Sequence, residues 1–322
     1  MNKSLSYAPI AEIDQSDEVA AKILLDRALD QASEIILGKR QELRLAFVCV
    51  LAGGHLLIED LPGVGKTTLA HLLGKLLGLS FQRIQFTSDL LPADVIGVSI
   101  FDRETSVFSF HRGPIFTQLL LADEVNRATP RAQSALLEAM EERQVTVDGE
   151  TYVLPDPFFV IATQNPSDQI GTFPLPESQL DRFLMRISIG YPSREAELEL
   201  LSGEPRRLML NRIEPLFDLT ELRKLQQQAA IVHVAEPLLN YIQDLLSYSR
   251  SAPLFAQGLS PRAGLAVVQA AKAWALMDGR NHVLPEDVQS ILPSVVAHRL
   301  GGRFDERDSE LAMQLIKAVP IP

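Results

Sequence analysis

In the stretch EDLPGVGKTT, residues 59–68, Gly65, Lys66 and Thr67 stand as the last three residues of a phosphate-binding loop of the pattern G-x-x-x-x-G-K-[ST]. Gly63 and Gly65 let the backbone curl so that successive N–H groups point inward at anionic oxygens. Pro62, Val64 and Thr68 complete that cradle. Lys66 brings a positive charge toward the outer phosphates, the helix start adds its partial positive charge, and the Thr67 hydroxyl suits a magnesium ion. Where the pattern wants its first glycine, the chain has Asp60. That position ends an apolar strand, before the tight curl, so its side chain can point away while the residue still flanks the bound phosphates.

A triphosphate site needs a second, acidic element, and LLLADE supplies it. An apolar strand ending in Asp123-Glu124 puts Asp123 where it holds magnesium through its water shell and Glu124 where it polarises the attacking water as a base. Asn165, at the end of the run VIATQN, offers an uncharged amide to the γ-phosphate and the lytic water. The neighbouring NPSD matches N-x-x-D, but Pro166 stands where a guanine-reading loop has lysine, and DEVN has no glycine after Asp123. The predicted ligands are therefore ATP and Mg2+.

These residues need a frame. The chain has 322 residues, 46% hydrophobic, with a formal net charge of −11, which suits a packed two-domain protein and disfavours wholesale binding of nucleic-acid backbone. Its single cysteine, Cys49, lies in the apolar run LAFVCVLAGG and reads as a small buried hydrophobe. No secretory pattern opens the sequence. The longest apolar run, residues 45–58, is short and interrupted by Gly53, Gly54 and His55, so the expectation is a cytoplasmic protein with no membrane insertion.

Short apolar runs alternate with helical segments from HLLIED through FQRIQF, TQLLLADE and FFVIATQN to RFLMRISIG. That rhythm predicts five parallel strands covered on both faces, with the first, third and fourth runs central. Two helices precede the first strand, one carrying Ile23, Leu24, Ala28, Ala32 and Ile35 and ending at Gly38, the other running through ELRLAFVCVLA. The stretches VSIFDRETSVFSFHRG and RQVTVDGETYVLP predict two hairpins, the second turning on Asp148-Gly149. Beyond Ser193 strand signals nearly vanish. Helices begin at SREAELELL, around Leu238 to Leu246, at SPRAGLAVV with Ser260 as cap and Pro261 first, and at LPEDVQSIL.

With these motifs in order, the sequence resembles an AAA+ ATPase of the MoxR family. The resemblance is carried by EDLPGVGKTTLA, FTSDLLPADVIG, FHRGPIFTQLLLADEVNRATPRAQSALLEAMEE, ATQNP, LPESQLDRF and LSPRAG, spanning about residues 55 to 264. It implies an α/β AAA+ P-loop NTPase core over residues 1–192, with a five-stranded parallel sheet, helices on both faces and two hairpin insertions. A C-terminal all-helical lid follows over residues 193–322. It also implies that an acidic residue is admitted at position 60, that Arg182 in LDRF is an arginine finger reaching a neighbouring subunit, and that Arg262 in SPRA is the sensor of the lid, able to swing onto the phosphates. Arg127 and Arg131 face the same interface by analogy; read on their own they are exposed helix charges. A salt bridge of Arg182 to Asp181 or Glu177 is the competing reading of the finger.

The implied activity is ATP hydrolysis by a ring, a hexamer of this chain, giving chaperone-like remodelling or maturation of a partner complex, often with a von Willebrand factor A domain protein. An ATP-gated scaffold, a chelatase-type subunit and a nucleic-acid motor are the alternatives; the acidic balance and the TVDGE hairpin tip weigh against the last. The six histidines lack metal-ligand spacing, Trp274 with Ala270, Ala271 and Met277 reads as helical core, and EAMEER reads as a solvated helix face.

Overall fold

A computed structural model describes residues 15–104, 106–165, 171–300 and 308–321. Its elements run α1 (Gln15–Ile35), α2 (Arg40–Leu51), β1 (Leu56–Glu59), α3 (Lys66–Leu76), β2 (Phe81–Gln85), α4 (Pro92–Ile96), β3 (Gly97–Asp102), β4 (Val107–Arg112), β5 (Leu119–Asp123), α5 (Pro130–Glu142), β6 (Gln144–Val147), β7 (Glu150–Val153), β8 (Phe159–Gln164), a single turn α6 (Glu177–Leu180) and β9 (Met185–Ile187). Helices follow: α7 (Arg194–Ser202), α8 (Arg206–Arg212), α9 (Leu219–Ile231), α10 (Glu236–Ser251), α11 (Pro261–Met277), α12 (Pro285–Val296) and α13 (Asp308–Ala318).

The five long-range strands form one parallel sheet in the order β2-β5-β8-β1-β9. The fully apolar runs take the middle, because a strand covered on both faces must be apolar at every position. Successive side chains alternate between the faces. Leu56, Ile58, Leu119, Leu121 and Ile161 point into one core with α1, α2, α3 and the C-terminal helices. Leu57, Leu120, Ala122, Val160 and Ala162 point into the other, with α5 and the hairpins. The edge strand β2 buries only Ile84 and leaves Gln82, Arg83 and Gln85 exposed. Arg83 and Gln85, two residues apart, share a side.

Asp148 and Gly149 both take positive φ, 52° and 84°, and turn β6 into β7. The hairpins are not independent: Phe110 of β4 stacks on Tyr152 of β7 with ring centroids 4.2 Å apart. Their outer side is apolar, with Phe108 69% exposed beside Phe101. In α1 the buried line is Ala21, Leu25, Ala28, Leu29, Ala32 and Ile35, while Ile23 faces solvent.

Ser193 and Ser260 cap α7 and α11, accepting hydrogen bonds from the N–H groups of Ala196 and Ala263. Helices α8, α9 and α13 add to the four expected beyond Ser193. The core between the sheet and these helices is continuous. Arg44 of α2 lies 3.9 Å from the Trp274 ring of α11 and pairs with Asp278 at 2.5 Å. The N-terminal helices therefore pack on the C-terminal bundle as well as on the sheet. Among the described residues no helix is long and apolar enough to cross a membrane.

Candidate active site

Strands β1, β5 and β8 end in register, with Ile58 opposite Thr163 and Ala122 opposite Ala162. Asp60, Asp123 and Asn165 therefore come together at one end of the sheet, where open α/β sheets bind ligands. The loop after β1 curls through Gly63 and Gly65, at φ 85° and 96°, and opens α3 at Lys66. A Cβ added at either glycine would meet nothing within 4 Å, so backbone rotation rather than crowding demands glycine, and the cradle is open.

Lys66 is buried, its ammonium donating to the carbonyl oxygens of Asp60 (2.5 Å) and Leu61 (3.2 Å) and to Asn165 Oδ1 (3.0 Å). Burial pulls its pKa down, against the opposing pull of Asp60, Asp123 and Glu124. The Asp60 carboxylate points away from the loop. Its Oδ2 accepts the N–H of Gly190 at 2.6 Å and the Ser188 hydroxyl at 3.0 Å, and its Oδ1 accepts the N–H of Leu61. Asp60 thus meets the site through its backbone carbonyl, while its side chain is turned away, as its place before the curl allows.

Asp123 is buried, its Oδ1 accepting the Thr163 hydroxyl at 2.6 Å and its Oδ2 accepting Arg83. Thr163 in turn accepts the N–H of Glu124 at 2.9 Å, so one hydroxyl fixes both acidic residues. Glu124 sits in the left-handed region, φ 56° and ψ 48°, a conformation that non-glycine residues hold at some cost. Its carboxylate accepts Gln85 (2.8 Å), Arg127 (2.7 Å) and the Asn165 amide (3.3 Å). Arg127 is exposed and pairs with Glu124, and Arg131 is exposed as well. The sequence reading missed Thr163, Arg83 and Gln85. The signal for Thr163 was its place two residues before Asn165, on the same side of β8.

The donor set fits a hard cation. A buried carboxylate at the strand end faces a helix that begins Lys66-Thr67, and oxygen donors dominate. Thr67 and Asp123 would hold magnesium, which when bound places positive charge against phosphate oxygens. Asn165 joins the two halves of the site, its Oδ1 accepting from Lys66 at 3.0 Å and its Nδ2 donating to Glu124 at 3.3 Å.

The two other arginines lie at the opposite end of the sheet. Arg182 precedes β9, whose Met185 pairs with Leu56 at the start of β1. Arg262, in the first turn of α11, donates to Glu141 at the end of α5. Both line a cleft of about 300 Å³ together with Gly54, His55, Glu141 and Arg143. Strand β1 spans four residues, about 13 Å at the usual strand rise, so neither arginine faces the Lys66 loop of its own chain. In this arrangement Arg262 does not lie over the phosphate loop of its own chain. The helix carrying it begins at the sheet end away from the loop, where Arg262 pairs with Glu141 on the exposed face of α5.

Asp181 pairs not with Arg182 but with Arg299, which the sequence reading did not single out. Cys49 is buried and its thiol is pushed well up in pKa by that burial. His55 is buried and held neutral, its pKa lowered to about 4 chiefly by desolvation; Nδ1 accepts the N–H of Val160 and Nε2 lies 3.3 Å from the Met140 carbonyl.

Residues 55–185 match the ATPase family associated with various cellular activities (AAA), and residues 247–319 match the AAA lid domain. The chain is 43% identical to the Bacillus subtilis (strain 168) protein YeaC, over 93% of this chain and 95% of that one. It is 38% identical to Chaperone MoxR1 of Mycobacterium tuberculosis (strain ATCC 25618 / H37Rv), over 97% of this chain and 85% of the relative. A candidate ATPase from Cytophaga hutchinsonii, solved as a crystal structure, superposes with a TM-score of 0.86 at 33% identity, covering 96% of this chain and 98% of that one. Sheet order, phosphate loop, helical lid and near full-length similarity agree: the chain is an ATPase that belongs to the MoxR family of AAA+ proteins.

Proposed function

We propose that the chain hydrolyses Mg·ATP as a ring, a hexamer, in which each site is shared between neighbours, and that the ring remodels a partner protein complex. The observation that carries this reading is the separation of Arg182 and Arg262 from Lys66, at opposite ends of the same sheet. An arginine that stabilises charge on a transferring phosphoryl group must approach it closely. Neither lies near the loop of its own chain, which supports an approach from another copy. In this reading Thr67 and Asp123 hold magnesium, Glu124 activates water, Asn165 orients it, and Arg182 with Arg262 arrives from the neighbour. The chaperone name of the MoxR1 relative supports a polypeptide client, as does the exposed apolar side of the hairpins. A von Willebrand factor A domain protein is the proposed adaptor.

The test is ATP turnover against protein concentration for wild type, Glu124→Gln and Arg182→Ala. Turnover per chain is expected to rise cooperatively and to fall by about 10³-fold or more in both variants. Glu124→Gln should still bind ATP and stay assembled. Turnover that is independent of concentration and survives Arg182→Ala would remove the shared site and the ring motor with it.

A further inference from the structure

Arg83 projects from the sheet-edge strand β2 onto the carboxylate proposed to hold the metal. Its Nε (3.1 Å) and Nη2 (2.6 Å) both donate to Asp123 Oδ2. Nη2 also donates to Gln85 Oε1 at 2.9 Å, and Gln85 Nε2 donates to Glu124 Oε2 at 2.8 Å. The register accounts for this: Arg83 stands opposite Leu121 and Gln85 opposite Asp123, so two residues on one side of an edge strand reach Asp123 at the end of β5 and Glu124 just beyond it.

Oδ2 of Asp123 is thereby filled: it takes two N–H groups, about what a carboxylate oxygen accepts, while Oδ1 takes the Thr163 hydroxyl. A divalent cation that draws on Oδ2, directly or through its bound water, needs the lone pairs that Arg83 holds. The Asp123 side chain is 8% exposed and the Arg83 side chain 45% exposed, so the arginine is the partner with room to move. It opens on a cleft of about 540 Å³ lined also by Thr67, His71, Lys75 and Arg207.

We propose that Arg83 is a positioning residue that competes with the divalent cation for Asp123. Without metal, its guanidinium offsets the adjacent Asp123 and Glu124 charges, which would otherwise repel an incoming triphosphate, and through Gln85 it fixes Glu124. When the cation binds, Arg83 withdraws into the cleft. Lys75 and Arg207 carry like charge there, so the withdrawn position is the costlier one and Arg83 returns as the metal leaves. This inference rests on the nucleotide-site reading above.

The test is binding of a fluorescent, non-hydrolysable ATP analogue to the full chain, once in EDTA and once as a Mg2+ titration at fixed nucleotide, for wild type, Arg83→Gln and Arg83→Lys. Arg83→Gln is expected to weaken metal-free binding about tenfold and to lower the Mg2+ half-saturation concentration by a similar factor, the scale of one charge-assisted hydrogen bond. Arg83→Lys, which keeps the charge and loses the fork, should fall between. Opposite signs in the two readouts are not what a merely structural role gives. If Arg83→Gln weakens both equally, or leaves the Mg2+ dependence unchanged, the competition is overturned. Should Arg83→Gln not fold, an Arg83→Lys Mg2+ dependence equal to wild type overturns it as well. If wild type binds no nucleotide in either condition, the nucleotide-site reading falls and this inference falls with it.

Discussion

Arg299, beyond the end of α12, donates from Nε to Asp181 Oδ1 at 2.6 Å, immediately beside Arg182. The same guanidinium donates to the carbonyl oxygens of Asp181 (3.2 Å), Phe183 (2.7 Å) and Leu184 (3.2 Å), and Ser260 Oγ lies 3.4 Å from Asp181 Oδ2. One buried arginine from the C-terminal bundle thus sets the backbone turn that presents Arg182, and the cap of the helix carrying Arg262 rests on the same carboxylate. The bundle and the proposed finger are fixed to each other.

Arg299→Ala removes a donor from four carbonyl oxygens, those of Asp181, Phe183, Leu184 and Val295, and from the Asp181 carboxylate. Breaking a buried ion pair from one side costs about 3–5 kcal/mol; Asp181 is partly exposed, which puts this variant at the lower end. Urea unfolding measures the loss. In the same variant turnover should drop more steeply than ATP binding, because the Lys66 loop is at the other end of the sheet.

Lys66→Met tests the price of a buried cation. Its ammonium is desolvated, and a hydrophobe of similar length removes that burden while leaving Asp60 and Leu61 carbonyls short of a donor, so nucleotide-free stability should change by no more than about 1 kcal/mol. The rise in Tm that ATP gives the wild type should disappear. Thermal melts with and without nucleotide read both.

Thr163→Val keeps shape and deletes the hydroxyl that bridges Asp123 and the Glu124 N–H. Leaving a buried N–H and carboxylate oxygen unsatisfied costs about 1–3 kcal/mol. Turnover should fall, while Thr163→Ser, which restores the hydroxyl, should recover most of it. Chemical unfolding beside steady-state turnover separates the two effects.

Acid stability should be set in part by His55 and His298. Both are buried and neutral: desolvation takes His55 to about 4 and His298 well below its ordinary value, the latter aided by neighbouring Arg299 and Arg186. In the unfolded chain each takes up a proton as pH falls through about 6.5, while the folded chain does not. Stability is therefore fully present above about pH 6.5 and is lost as pH falls toward 4, by roughly 3 kcal/mol for His55 at the lower limit. Unfolding free energies between pH 7 and 5 should slope accordingly, and His55→Gln should flatten that slope.

Much of this frame is legible in the residues. The strands β1, β5 and β8 declare themselves by unbroken apolar runs, Asp148-Gly149 by its positive φ, and Ser193 and Ser260 by their place before a helix. What governs these signals is local. The site's second layer is not local: Arg83 reaches Asp123 across 40 positions and Arg299 reaches Asp181 across 118. Such pairs exist only once strand order and helix docking are fixed. The same holds for Arg262, whose helix and cap were readable while the end of the sheet it meets was not. The helix α9 differs, since its capping box of Asp218 and Glu221 was available in the sequence and passed over.

Asp60 carries a consequence for how the two parts of the chain communicate. Its carboxylate fastens the mouth of the phosphate loop to Ser188 and Gly190, the residues through which the chain leaves the sheet for α7. A glycine at position 60 would leave those two segments as separate strands of rope; the aspartate knots them. The departure from the usual motif is therefore a direct tie between the phosphate loop and the exit toward the helical bundle.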